Sequence, residues 1–187
     1  MTMSKVEDLM VPVGKFPVIS QESTLREAIL ALDKVEQEFL SGQREQRILL
    51  VFDEQEGILG KLTPKDVIRG LEPNYGKLMA VHAVSFQNDY KYVMQSQSLL
   101  ELQDMTTTSW DNLCAKSKET RIKDFLVKPP LTQLVQVGDS LNKALHRFIL
   151  GKHHTLFVTE GKKLVGLVRF TDVYREILGR IKYVCCG

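Results

Sequence analysis

The side chains best suited to chemistry stand in one short run, Gly60-Lys61-Leu62-Thr63-Pro64-Lys65-Asp66. An apolar stretch precedes it and a helical pattern follows, so it reads as a strand turning into a helix. Free amides and the positive end of a helix gather at such a turn and attract anions. Thr63 adds a hydroxyl. Asp66, one helical turn on, can accept paired hydrogen bonds from a vicinal diol such as ribose, which an ionised carboxylate offers and an amide does not. Lys65 has the reach for a phosphate. The plainer alternative is that Thr63 and Asp66 simply cap and solvate the helix. A related run, Gly166-Leu167-Val168-Arg169-Phe170-Thr171-Asp172, keeps the aspartate but has Arg169 where the first has threonine. That arginine either presents its fork of donors to a phosphate or fills the site and abolishes it.

These two runs belong to an internal repeat. Val6-Glu7-Asp8-Leu9-Met10 lines up with Ile122-Lys123-Asp124-Phe125-Leu126 at an offset of 116 residues. The same offset places Ser23-Thr24-Leu25-Arg26-Glu27-Ala28-Ile29 on Asp139-Ser140-Leu141-Asn142-Lys143-Ala144-Leu145. From Gly60 onward the offset falls to 106, so the first copy carries ten extra residues around the polar stretch Glu36 to Gln46. A fixed-period likeness of this kind marks a repeated supersecondary unit.

Each copy reads in the order βαββα. A short extended piece comes first, Phe16 to Ile19 or Leu134 to Val137. Ser23 and Asp139 are suited to cap the helix that follows. Apolar residues then recur at helical spacing: Leu25, Ala28, Ile29 and Leu32, against Leu141, Ala144, Leu145 and Phe148. The runs Ile48 to Phe52 and Thr155 to Val158 read as buried strands, with turns at Glu56-Gly57 and Glu160-Gly161-Lys162. The second strands are Ile58 to Leu62 and Leu164 to Val168. Closing helices are predicted from about Pro64 to Leu71 and from about Thr171 to Ile181. One such unit cannot cover its own sheet face, so two copies should form one pseudo-two-fold body. Between them, Tyr90 to Met105 is predicted helical, and Trp110, Leu113 and Cys114 share a helix face that suggests core packing for Cys114. The expected organisation is a first domain at 1–72, a largely helical insert at 73–120, a second domain at 121–183 and a tail at 184–187.

At these aligned residues the sequence resembles a pair of CBS domains, the arrangement called a Bateman module. The resemblance covers both copies and leaves out the insert and the tail. It implies an α/β (α+β) fold, with an adenosine-containing ligand such as AMP, ADP, ATP or S-adenosylmethionine held in the cleft between the copies. It also implies a regulatory role without catalysis or a required cofactor, a homodimer, and a regulated protein partner. In nucleotide-binding relatives a basic residue just before the apolar strand meets phosphate. Arg47 and His153 hold that position here, with Arg44, Lys152 and His154 close by. The ligand set implied is therefore Thr63, Lys65, Asp66, Arg47, His153, Arg169, Thr171 and Asp172, with the two sites unequal because of Arg169. A protein-interaction module that binds no nucleotide is the alternative.

Bulk properties narrow the classes further. The chain has 187 residues, 43% hydrophobic and 26% charged, with 25 basic and 23 acidic side chains. A net charge of +2 gives no large basic field for nucleic acid or an anionic membrane. No apolar run approaches the roughly 20 residues of a membrane span, and no apolar signal core opens the chain, so a cytoplasmic location is expected. The three cysteines, Cys114, Cys185 and Cys186, are too few and too oddly spaced for a disulfide framework or a tetrahedral zinc set. Neither a nucleophile elbow, a phosphate loop of the Gly-Lys-Ser/Thr kind, nor a His-Glu-x-x-His helix is present, so no catalytic apparatus is expected.

Overall fold

A computed structural model of the chain describes residues 5–72 and 110–185. In chain order its strands are β1 (Val11–Pro12), β2 (Val18–Ser20), β3 (Leu49–Asp53), β4 (Gly57–Leu62), β5 (Leu134–Gln136), β6 (Thr155–Glu160) and β7 (Lys163–Arg169). Its helices are α1 (Leu25–Leu40), α2 (Pro64–Leu71), α3 (Trp110–Glu119), α4 (Leu141–Gly151) and α5 (Phe170–Cys185). One sheet has the order β1-β7-β6-β5 and the other β2-β3-β4. In the larger sheet β5 runs parallel to β6, while β6 and β7 form an antiparallel hairpin. This is the βαββα order expected for both copies. The predicted helix at Tyr90 to Met105 lies outside the described residues.

Part of the ten-residue insertion of copy one lengthens its helix, and the rest follows Leu40 outside it. Copy one's α1 runs for 16 residues and its counterpart α4 for 11. Good helix formers such as Glu36, Gln37 and Glu38 continue the pattern to Leu40.

The helix caps stand one residue later than Ser23 and Asp139. Thr24 and Ser140 are the N-caps, accepting from the amides of Glu27 and Lys143. The shift has a backbone cause. Ser23 still uses its carbonyl to accept the Ile122 amide at 3.0 Å, and Asp139 that of Val6 at 2.9 Å. Both carbonyls are therefore engaged outside the helices. Thr24 gains a further device, because Glu27 reaches back to the Thr24 amide at 2.7 Å and closes a capping box. The Thr24 amide, then its hydroxyl, hold the Glu27 carboxyl below its ordinary value of 4.5. A carboxylate depressed by folding contributes stability above its unfolded pKa and loses it as pH falls through the folded one. The stability advantage of the protein over Glu27→Gln should therefore shrink between about pH 5 and about pH 3 in denaturant titrations. An advantage that stays constant across that range would contradict the cap.

Two compact units divide the chain. One takes the described residues of Met1–Val18, Leu50–Lys61 and Val127–Gly187, and the other those of Ile19–Leu49 and Leu62–Leu126. The division does not follow the repeat. In the first unit Val6 is fully buried in a core with Val135, Ala144, Phe148, Leu156, Val158, Val168 and Val173, all from copy two. Its neighbours pair along with it: Glu7 donates to the Val137 carbonyl at 3.2 Å, and Val11 and Pro12 pair antiparallel with Leu167 and Gly166.

In the second unit the corresponding lead-in of copy two joins copy one. Ile122 is fully buried, Leu25 donates to the Thr120 carbonyl at 2.8 Å, and Lys123 donates to that of Gln21 at 3.0 Å. The Phe125 ring lies over Gly70, where a Cβ would stand 2.8 Å from it, so only glycine fits there. Each copy's lead-in segment thus completes the core built from the other copy.

Helix α3 packs on α1 and α2. Its inner stripe is Leu113, Lys116, Ser117 and Thr120, with Ser117 buried. Cys114 lies one position off that stripe and is exposed, which corrects the expected core role.

Candidate functional site

The Gly-x-x-Thr-x-x-Asp run of copy one ends β4 and starts α2. Pro64 occupies the first helical position, where a missing N–H costs nothing. Thr63 is the N-cap. Its amide and hydroxyl donate to Asp66 Oδ2 at 2.9 and 2.6 Å, and the Asp66 amide donates back to Thr63 Oγ1 at 3.4 Å. The other carboxylate oxygen, Oδ1, accepts Arg69 Nη1 at 3.0 Å. The Asp66 side chain keeps 14% of its surface exposed. It therefore serves the helix and faces a guanidinium at once, and Oδ1 retains lone-pair capacity for a further donor. Arg69 is part of this site and was missed in the sequence. Its i, i+3 spacing from an acid on a helix was the available signal. Lys65 is exposed on the first turn.

Copy two meets the same chain position differently. Arg169 Nε and Nη2 donate to Asp172 Oδ2 and Oδ1 at 2.7 and 2.8 Å. This fork-to-fork pair takes both carboxylate oxygens, with the two side chains 24% and 16% exposed. Arg175 stands 4.0 Å from Oδ1. Of the two roles open to Arg169, the structure shows it occupying the aspartate. Thr171 is exposed on the first turn of α5. The motif glycine serves packing here. A Cβ on Gly166 would come within 2.7 Å of Met10 Sδ and 2.9 Å of the Val11 carbonyl oxygen, so β1 can pair only with glycine.

The two basic residues that precede the apolar strands also differ. Arg47 donates to Glu36 Oε1 at 2.9 Å, and its guanidinium carbon sits 4.7 Å above the Phe39 ring. Both partners lie on the part of α1 that copy two lacks. In copy two Lys152 takes a left-handed conformation, φ 50°, directly after α4. His153 follows it, half-buried, with Nε2 3.4 Å from Thr132 Oγ1. Burial first, then the positive charge of Lys61, lowers its pKa from the ordinary 6.5. Arg44 is held by Glu38 at 2.7 Å.

The structure thus brings Thr63, Asp66 and Arg69 together, and separately Arg169 with Asp172. Among the described residues no group of three or more His, Cys, Asp or Glu side chains could hold a metal ion. Among them, too, no helix is long and apolar enough to cross a membrane.

A tandem βαββα fold with a Thr-x-x-Asp turn in one copy and an Arg-x-x-Asp turn in the other defines a class of small α/β modules. Residues 122–179 match the family model of the CBS domain. No curated protein matches the sequence. Solved structures share the fold along nearly the whole chain. CBSX2 in complex with AMP is 20% identical, with 94% of this chain and 97% of that one covered, at a TM-score of 0.55. A CBS domain-containing protein of unknown function from Bacillus anthracis is 15% identical, over 95% and 94% of the two chains, at 0.60. A putative acetoin utilization protein from Vibrio cholerae is 15% identical over 97% and 95%, at 0.54. Residues 122–179 thus match the CBS domain directly, and the whole chain shares the fold of CBS-domain-containing proteins.

Proposed function

We propose that the protein is a regulatory module that binds an adenosine-containing nucleotide, AMP, ADP, ATP or S-adenosylmethionine, at the Thr63–Asp66 turn. The observation that carries this reading is the difference between the two aspartates. Asp172 is clamped by both ends of one guanidinium, whereas Asp66 holds Thr63 on Oδ2 and meets Arg69 through a single bond on Oδ1, the oxygen that would accept a ribose hydroxyl as well. Thr63 and Lys65 complete the copy-one set, and Arg47 joins it by exchanging Glu36 for a phosphate. His153, Arg169, Thr171 and Asp172 form the weaker copy-two set. The AMP held by CBSX2, a relative in fold, supports the ligand class.

Binding would act by population shift, favouring whichever arrangement of the protein takes the nucleotide better. With this reading go a homodimer, a protein partner that senses the bound state, a cytoplasmic location, and domain limits at residues 72 and 121.

Arg169→Thr tests the asymmetry. It restores the copy-one residue, releases Asp172, and should raise the number of AMP molecules bound per chain in calorimetric titration. An unchanged stoichiometry in the folded variant would mean that the arginine clamp is not what separates the sites.

The bidentate clamp also favours a second reading, an interaction module that binds no nucleotide. Thermal melts decide between them, because a ligand of the folded state raises the midpoint by mass action. Midpoints that no adenine nucleotide moves would support the second reading.

A further inference from the structure

Copy one contains a cavity of ≈ 540 Å³ lined by Leu32, Asp33, Val35 and Glu36 of α1, Arg47, and Pro64 of α2. Pro64 directly follows Thr63, so the cavity adjoins the proposed nucleotide turn and belongs to the same site. The repeat register explains the room there. Leu32 corresponds to Phe148 in copy two and Pro64 to Phe170, and those two rings pack edge to face with centroids 5.6 Å apart. The volume lies within the roughly 300–1,000 Å³ of small-molecule sites.

Charge around the cavity is uneven. Among its described lining residues Arg47 is the one cation, against two acids, Asp33 and Glu36. Arg47 already has a partner, because Glu36 Oε1 accepts it at 2.9 Å, and its guanidinium carbon lies 4.7 Å from the centre of the Phe39 ring. The ion pair is open to solvent, with side chains 57% and 39% exposed. Exposed pairs of this kind are weak, so a phosphate can take the place of Glu36. Phe39 meanwhile keeps the guanidinium beside α1. One phosphate then occupies the cation of the lining. A second or third would meet the displaced Glu36 carboxylate and Asp33, and like charges at short range repel.

We propose that Glu36 and Asp33 make the copy-one site selective for a nucleoside monophosphate over the triphosphate. The proposal rests on the nucleotide reading and adds to it the residues that limit the number of phosphates. Glu36 acts through Arg47, so it is a positioning residue, and it lies on the stretch of α1 that copy two lacks.

Adenosine, AMP and ATP, titrated calorimetrically into the intact chain at constant ionic strength without magnesium, are the probes. AMP should bind more tightly than ATP. Glu36→Gln should strengthen AMP binding by up to about fivefold, the range of one exposed charge pair, strengthen ATP binding by more, and leave adenosine unchanged. Asp33→Asn should also narrow the gap between AMP and ATP. Should Glu36→Gln weaken all three ligands alike, the sign of a damaged fold, Asp33→Asn carries the test. ATP bound as tightly as AMP by the unaltered protein, or an AMP-to-ATP ratio that neither folded variant changes, would overturn this proposal and leave the nucleotide reading standing. No binding of any of the three would overturn both.

Discussion

Asp66→Asn is expected to lose most of the affinity for AMP while the protein stays folded. The amide oxygen of asparagine can still accept the Thr63 amide, so the helix start survives in large part. What disappears is the negative charge and the second acceptor, on which recognition of a diol depends. A hydrogen bond to a charged group contributes about 1.5–3 kcal/mol, so affinity should fall by roughly one to two powers of ten.

Asp66→Ala should lose as much affinity and also about 1 kcal/mol of stability, because it removes the N3 half of a capping box. Comparing the two variants by calorimetry and thermal melting separates binding from capping. If both bound AMP as well as the unaltered protein, Asp66 would be a helix-capping residue and nothing more.

Val6→Asp and Ile122→Asp are expected to be the most damaging single changes to the fold. Both side chains are fully buried. Each substitution puts a carboxylate into an apolar core with no partner, which costs about 3–5 kcal/mol. Losses of that size approach the whole stability of an ordinary domain. Val6 belongs to copy one in sequence, yet the other buried residues of its core are all in copy two. Spectroscopic or hydrogen-exchange probes on β6 and α4 should therefore report the Val6 lesion, and probes on α1 and α2 the Ile122 lesion. Damage confined to the mutated residue's own copy would contradict the exchange of lead-in segments. Urea unfolding monitored at both places reads this directly.

The elements themselves were legible because local signals coincide with them. The bounds of α2 are those predicted, since Pro64 marks its first turn and a helical apolar pattern follows. Both hairpin turns fall at the expected glycines. The caps were displaced by one residue. Ser23 and Asp139 have capping chemistry, but their carbonyls are committed to pairing with segments about a hundred residues away. The Thr24-x-x-Glu27 box was the better local signal. Exchange of the lead-in segments could not be read at all. Periodicity shows that Val6 and Ile122 face a core but not which core they face.

The site was legible in its residue types more than in its contacts. Thr63 and Asp66 stand together, as the spacing implied. Arg169 had two readings open, and the short three-residue path to Asp172 let the nearer acceptor win. The resemblance to nucleotide-binding relatives implied a phosphate role for Arg47 from its place before a strand. Its Glu36 and Phe39 partners depend on the extra helical turn of α1, an insertion whose structure the repeat alone did not give. Cys114 was misplaced by one step of roughly 100° around a helix, because it directly follows Leu113 of the inner stripe and falls just off it.

Calorimetric titration of the intact chain with AMP tests the central claim most directly, with Asp66→Asn run alongside as its control. The account predicts a saturable heat for the chain, strongly reduced in the variant. Flat titrations of the unaltered protein with AMP, ADP, ATP and S-adenosylmethionine would contradict it.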